Sequence, residues 1–337
     1  MSLVGEAESR LAARARWRPA EIAFWAAAFA SLFLLPGRDL ILTEIAILAL
    51  FALSLDLILG FAGIISLGHA AFFGVGAYAA GLIARDGLVT EPEVGLVLAG
   101  LAAAALGFVT SFLVLRGSDL TRLMVTLGVA LVLREIANRF DSITGGADGL
   151  QGIVMAPVLG TFRFDIAGHV AYAYSLAVVA LMFLLARRLV HSPFGLSLRA
   201  IRANSLRASA LGIAVNRRLV AIYTIAAFYA GIAGALLAQT TQFASLDVFT
   251  LERSADTLLM LIIGGTGYLY GGLIGALVFK LLQDFIANLT PQYWQFWIGL
   301  LLVLIVLVGR ERLSPGPWLG RLLARLRRAA GLFAARG

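Results

Sequence analysis

From residue 20 onward the chain alternates long apolar blocks with short polar connections. The blocks fall at 20–36, 40–60, 63–84, 94–115, 119–138, 169–189, 219–239, 256–271, 272–287 and 293–309. A bilayer-spanning helix takes about 20 predominantly apolar residues. The pattern therefore predicts an all-α, polytopic membrane protein with about ten transmembrane helices. The stretch 256–287 is broken by glycines and reads either as two short spans or as a re-entrant pair of half-helices. Around the transmembrane domain, 20–309, lie a polar N-terminal segment, 1–19, and a basic tail, 310–337.

Composition narrows the class further. The 337 residues are 61% hydrophobic and 14% charged, with a mean hydropathy of +0.93. Soluble domains carry about 45–50% apolar and about 25% charged residues, so this chain is neither disordered nor a stapled secreted scaffold. The absence of cysteine removes thiolate metal sites, Fe–S clusters and cysteine nucleophiles. No residue stands out as catalytic or as a metal ligand, and the chain reads as a non-enzyme. Lys280 is the only lysine, and no phosphate-binding GxxxxGK[ST] loop surrounds it. Any ATP-derived work must come from a partner.

The net charge of +8 would suggest nucleic acid in a soluble protein. Here the arginines gather in a few connections, the distribution that orients spans in a bilayer, and no nucleic acid is implied. Residues 187–218 hold seven arginines (Arg187, Arg188, Arg199, Arg202, Arg207, Arg217, Arg218) and no acid. The connections 85–93 and 240–255 carry Asp86, Glu91, Glu93, Asp247 and Glu252 against Arg85 and Arg253. Alternating ten spans between these sets places both termini in the cytoplasm. The Arg-rich start resembles a signal peptide, but its apolar run continues through Leu32–Leu35 and reads as a retained first span. The tail 317–336 reads as a basic amphipathic helix lying on anionic lipid headgroups.

Four segments carry the functional expectations. Five glycines (Gly60, Gly63, Gly68, Gly74 and Gly76) fall between residues 60 and 76 and weaken a helix there. Gly74, Gly76 and Gly81 read as close-packing positions. Ser66, Gly68 and His69 read as an interrupted helix beside a substrate path. A second broken stretch repeats the spacing, with Gly264 and Gly267 matching Gly60 and Gly63. Paired interruptions in two halves of a membrane protein point to a transport site. In the outer connection 139–168, the run Thr144-Gly145-Gly146-Ala147-Asp148-Gly149 suits turns or the docking of an external protein. The cytoplasmic loop 190–218 alternates apolar and basic residues from Ser197 to Ala210, with Gly212 as a stop. Its apolar face (Leu198, Ile201, Leu206, Ala210) suits a coupling helix seated in a soluble subunit.

Five ordered pieces then resemble a known family. They are Ser66-Leu-Gly-His-Ala-Ala-Phe-Phe-Gly74, Met124-Val-Thr-Leu-Gly128, Thr144–Gly149, Arg199-Ala-Ile-Arg202 followed by Ala210-Leu-Gly-Ile213, and Leu259–Gly267. Together they are similar to the permease subunits of high-affinity branched-chain amino-acid ABC importers, the Liv family, and nearest to its M-type subunit. The resemblance covers about residues 40–310. It implies a substrate pathway at Ser66, Gly68, His69, Thr126, Gly128, Gly264 and Gly265. It implies ATPase coupling through Arg199, Ala200, Arg202, Ala210, Leu211 and Gly212, and binding-protein docking at Thr144, Gly145, Gly146 and Asp148. It further implies a second homologous permease subunit, two cytoplasmic ATPases that hold ATP and Mg, and a periplasmic binding protein. The chain itself would carry no cofactor and sit in the bacterial inner membrane. The family also includes urea, amide and other small-solute importers. In one departure, family members carry acids between the Arg-Ala-Ile-Arg and Ala-Leu-Gly pieces, where this chain has Ala203-Asn204-Ser205 and Ser209.

Ionisable groups inside spans are expensive and point to function by default. Lys280 and Asp284, four apart on one helical face, read as a neutralising pair. Glu44 and Asp56 read as hydrated near the ends of the second span, and Arg134 and Glu135 lie near the outer end of the fifth. Proton- or sodium-coupled secondary transport is the rival reading.

Overall fold

The computed structural model describes residues 18–165, 167–293, 296–300 and 303. Most of the N-terminal segment, most of the last expected span and the amphipathic tail lie outside the described residues. Among those described, the secondary structure is helical, with two isolated bridges, Leu150 to Ala244 and Val158 to Phe162. The main helices are α1 (Pro19–Leu34), α2 (Asp39–Ala62), α3 (Ala70–Arg85), α4 (Pro92–Val114), α5 (Asp119–Arg139), α6 (Asp141–Thr144), α7 (His169–Val190), α8 (Pro193–Ala203), α9 (Ser205–Ala210), α10 (Val215–Thr241), α11 (Leu251–Gly264) and α12 (Leu269–Leu289).

Five of these helices, α2, α4, α7, α10 and α12, are long and apolar enough to cross a bilayer. The apolar helices α1 and α3 are shorter, at 16 residues each. The expected span 63–84 begins only at Ala70, because residues 63–69 leave the helix. The division expected between 256–271 and 272–287 falls instead at 265–268. Its first member, α11, has 14 residues, about 21 Å of helix at 1.5 Å per residue against a hydrocarbon core of about 30 Å. It is a half-helix, entered through the 3₁₀ turn Leu246–Phe249.

Helix α2 is the centre of the bundle. From Leu50 to Ile58 its side chains are buried on every face, as expected for a helix apolar all round. It packs against α7, α10 and α11. Helix α10 presents Ala226, Ala227, Ala230, Ala233 and Ala235, all fully buried, to α3 and α4. Such small residues let backbones approach where lipid gives no hydrophobic drive for association. At Gly76 a Cβ would lie 2.1 Å from the carbonyl oxygen of Gly231, so that crossing needs glycine. Gly74 lies against the Phe249 ring, and Gly81 against Leu150 and Ile153.

Contacts sort the connections into two ends. At one end His169 pairs with Asp39 at 3.0 Å, Gln239 donates to the Pro92 carbonyl at 2.8 Å, and Leu150 pairs with Ala244. At the other, arginine-rich end, Arg187 pairs with Glu21 and Arg202 reaches the end of α2.

The chain divides into two compact units, residues 1–280 and 281–337. The second, in its described part, holds the end of α12, a turn at 291–293 and a helical stretch at 296–300.

Two charge expectations are corrected. Lys280 donates to Glu44 of α2 at 2.7 Å, so its partner is not Asp284; a neighbouring helix brings the carboxylate closer than the local helical face does. Asp56 is fully buried, not hydrated at a span end.

Candidate functional site

The first break follows from the end of α2. Gly63 adopts a left-handed φ of 76°, and the Ile64 amide returns to the Ile58 carbonyl at 2.9 Å. That is a Schellman-type stop, which glycine favours because it has no Cβ to strain. Residues 64–69 then run without helix until α3 starts at Ala70. Backbone groups left open inside an apolar bundle must find partners, and here side chains from two other helices supply them. The Leu67 amide donates to Thr126 Oγ1 at 3.3 Å, and the Ala70 amide to Ser254 Oγ of α11 at 3.0 Å. Gly68 lies so close to α5 that a Cβ would stand 1.7 Å from the Thr126 carbonyl oxygen.

His69 is buried, stacked on Phe51 at 5.6 Å between ring centres, and shares a 2.8 Å hydrogen bond with Ser54. The Ser66 hydroxyl is also buried and has no hydrogen-bond partner among the described residues. Thr126, Ser254 and Ser54 thus each bond to the segment 66–70 that carries Ser66, Gly68 and His69. Two residues further along α5, Gly128 borders open space.

Gly264 and Gly265 lie in the second break and take no part in those bonds. A Cβ on Gly264 would stand 1.9 Å from the Gly271 carbonyl oxygen, so this break folds α11 tightly onto α12. Its third glycine, Gly267, has a φ of 78°, close to that of Gly63.

The two breaks meet. The Gly267 amide donates to Asp56 Oδ1 at 2.7 Å, and a Cβ on Gly60 would stand 2.4 Å from the Gly267 nitrogen. Arg202, from the last turn of α8, donates to the Gly60 carbonyl. The Gly63 position also abuts the Arg202 side chain. One helical turn earlier on α8, Arg199 lies over the Phe61 ring at 5.4 Å. A helix of the arginine-rich loop is therefore bonded directly into the point where both broken segments touch.

That loop differs from the expected single helix. The chain turns extended at Asn204 (φ −165°, ψ 106°), and its side chain caps α9 by accepting from the Arg207 amide at 2.9 Å. Leu198 and Ile201 are buried under α8, together with Gly195 against Val190. Leu206 and Leu211, at 82% and 80% exposure, point away from the bundle. Ala200 lies on α8, Ala210 ends α9, and Gly212 follows with a left-handed φ of 83°.

At the opposite end, Thr144 closes α5 by donating to the Phe140 carbonyl at 2.7 Å. Gly145 and Gly146 take positive φ, and Asp148 is exposed.

Residues 38–306 match the family described as branched-chain amino acid transport system, permease component. The chain belongs to that family. This permease is 28% identical over 299 residues to the high-affinity branched-chain amino acid transport system permease protein LivM of Escherichia coli, covering 82% of this chain and 69% of the relative. The Salmonella typhimurium LivM gives the same values. A probable LivM of Methanocaldococcus jannaschii is 27% identical over 283 residues, covering 73% of this chain and 80% of the relative. No solved structure matches the chain.

Sequence reasoning about the permease missed Asp56, Ser54 and Ser254. Asp56 had a local signal, since it stands four residues before Gly60 on the same helical face.

Proposed function

We propose that this permease is one membrane half of an ATP-driven importer that carries branched-chain amino acids inward by alternating access. A second, homologous permease subunit completes the pathway. Two cytoplasmic ATPase subunits, holding ATP and Mg, seat against α8, α9 and Leu211, and a periplasmic binding protein docks on the 144–148 loop. The setting is the bacterial inner membrane, with both termini cytoplasmic.

The observation that carries this reading is the bond from Arg202 to the Gly60 carbonyl. It ties α8 of the arginine-rich loop to the junction where the two breaks touch. Force on α8 is delivered at that junction without an intervening element. The exposed Leu206 and Leu211 offer the apolar knob that a soluble partner would cover. The break at 63–69 continues from that junction to Ser66, His69 and the bond to Thr126, so movement of α8 reaches the polar groups that line the substrate path.

The test is uptake of labelled leucine into membrane vesicles holding the chain and its neighbours. ATP-dependent uptake that is lost in Arg202→Ala supports the reading. Uptake by the chain alone, abolished by ionophore and indifferent to ATP, sinks it in favour of secondary transport. Competition by urea or amides stronger than by leucine moves the substrate to another class.

A further inference from the structure

Helix α1 has no buried residue of its own. It is held to α7 by the Ser31–Tyr172 hydrogen bond of 2.7 Å and the Arg187–Glu21 ion pair. Between α1, α2, α7 and α12 lies an apolar crevice of about 300 Å³, lined by Trp25, Ala28, Ala46, Leu176 and Leu273 among others. An empty space of this kind forfeits dispersion contacts along all its walls. One helical turn along α1, a second cavity of about 130 Å³ opens at the arginine-rich end. Among the described residues its walls carry Arg18, Arg187, Arg199 and His191 and one carboxylate, Glu21, which pairs with Arg187. The cavities are neighbours: Phe24, lining the first, meets the Tyr270 ring, lining the second, at 5.4 Å.

A basic pocket between membrane helices, neighbouring an apolar crevice along the same helix, has the chemistry of an anionic phospholipid site. We propose that these two cavities bind one anionic phospholipid of the cytoplasmic leaflet. Its phosphate sits among Arg18, Arg187 and Arg199, and one acyl chain fills the crevice behind α1. The charge complementarity chooses the headgroup, and the apolar walls choose a lipid over a free phosphate. The lipid would hold α1 to the bundle and place a negative charge beside the 267–269 turn, which also lines the headgroup cavity. The proposal does not depend on the transport reading, because binding is measured without transport.

The test uses the full chain, purified in mild detergent with the subunits that accompany it. Native mass spectrometry follows titration with phosphatidylglycerol, phosphatidylcholine or inorganic phosphate. One saturable phosphatidylglycerol per chain is expected, with phosphatidylcholine binding far more weakly. Arg18→Gln should weaken retention about fivefold, the effect of one interfacial arginine. Ala46→Phe should abolish it by filling the crevice. Ala28→Leu fills the same space from α1, which has no part in the core, and separates lost binding from lost folding. Equal retention of both lipids, or retention unchanged in all three variants, overturns the proposal. Saturable binding of inorganic phosphate that survives Ala28→Leu assigns the headgroup cavity to a free anion and overturns it too. Lipid binding that appears only after removal of residues 1–17 shows that the chain's own N-terminal segment, with Glu6 and Glu8, occupies the site instead.

Discussion

Arg202 donates to the carbonyl of Gly60. That bond satisfies a backbone acceptor in the last turn of α2, where the helix is about to stop, and it joins a loop helix to a membrane helix 142 residues earlier in the chain. A charge-assisted bond of this kind contributes about 1.5–3 kcal/mol. Removing it with Arg202→Ala should lower ATP-dependent uptake at least tenfold while leaving the protein in the membrane. Arg202→Lys keeps the charge but not the planar fork, and should retain part of the activity. Uptake by the three proteins, normalised to their membrane content, checks this.

Gly68 should tolerate no side chain. A Cβ there would stand 1.7 Å from a backbone oxygen of Thr126, which no rotamer change can relieve. Gly68→Ala is expected to destabilise the fold by about 1–3 kcal/mol or more. Gly128→Ala, inside α5 and with nothing within 4 Å of the new methyl group, should instead stabilise the helix by about 0.5–1 kcal/mol. Thermal unfolding in detergent separates the two.

Asn204 supplies the cap that starts α9. An aspartate in its place would cap equally well, since the two residues rank alike at that position. Asn204→Asp should therefore be neutral in ATPase retention. Asn204→Ala should fray α9 by about 1 kcal/mol and weaken co-purification of the ATPase.

Leu206 and Leu211 are exposed in this chain. Leu206→Glu or Leu211→Glu should leave its own stability within about 0.5 kcal/mol of the parent. Either change should release the ATPase from a mild-detergent pull-down, because a carboxylate would be buried without a partner at the contact. An ATPase retained at parental levels in both variants would remove α9 from the interface.

Asp165 lies outside the membrane helices at the entry to α7. Slight desolvation pushes the carboxyl of this exposed residue up, but the Val170 and His169 amides that donate to it outweigh that effect and hold it below the usual carboxylate range. A carboxyl whose folded pKa is depressed adds stability above its unfolded value, and that stability is lost as pH falls through the folded value. Asp165→Asn should therefore flatten the acid limb of the unfolding temperature against pH. The limb should stay unchanged if the bonds to α7 are not formed.

Much of this was legible in the sequence, for local reasons. The paired spacing of Gly60 and Gly63 with Gly264 and Gly267 marked both breaks, because a missing Cβ is a property of the residue itself. Among the described residues the apolar blocks gave most of the long helices to within a few residues, but misplaced the start of α3 and both ends of α11. What escaped was set by distant parts of the chain. Asp56 looked hydrated by its place near a span end, and only the fold brings the Gly267 amide onto it. Lys280 had an obvious partner four residues on, yet Glu44 from another helix takes it. The periodic arginines and leucines of 197–210 hid the stop at Asn204, although an Asn-Ser pair inside a helical pattern is also a start signal for a new helix. That Gly264 and Gly265 pack α11 onto α12, away from Ser66, needed the backbone positions of both.

The most direct test of the central claim is co-dependence of uptake on ATP and on the α8–Gly60 contact in one preparation. Leucine uptake is measured in vesicles carrying the chain and its partner subunits, with ATP supplied or withheld, with ionophore, and with Arg202→Ala in place of the parent. The account predicts uptake that requires ATP, ignores ionophore and falls at least tenfold in the variant. Uptake that ionophore abolishes, that proceeds without ATP and that the variant leaves intact would contradict it.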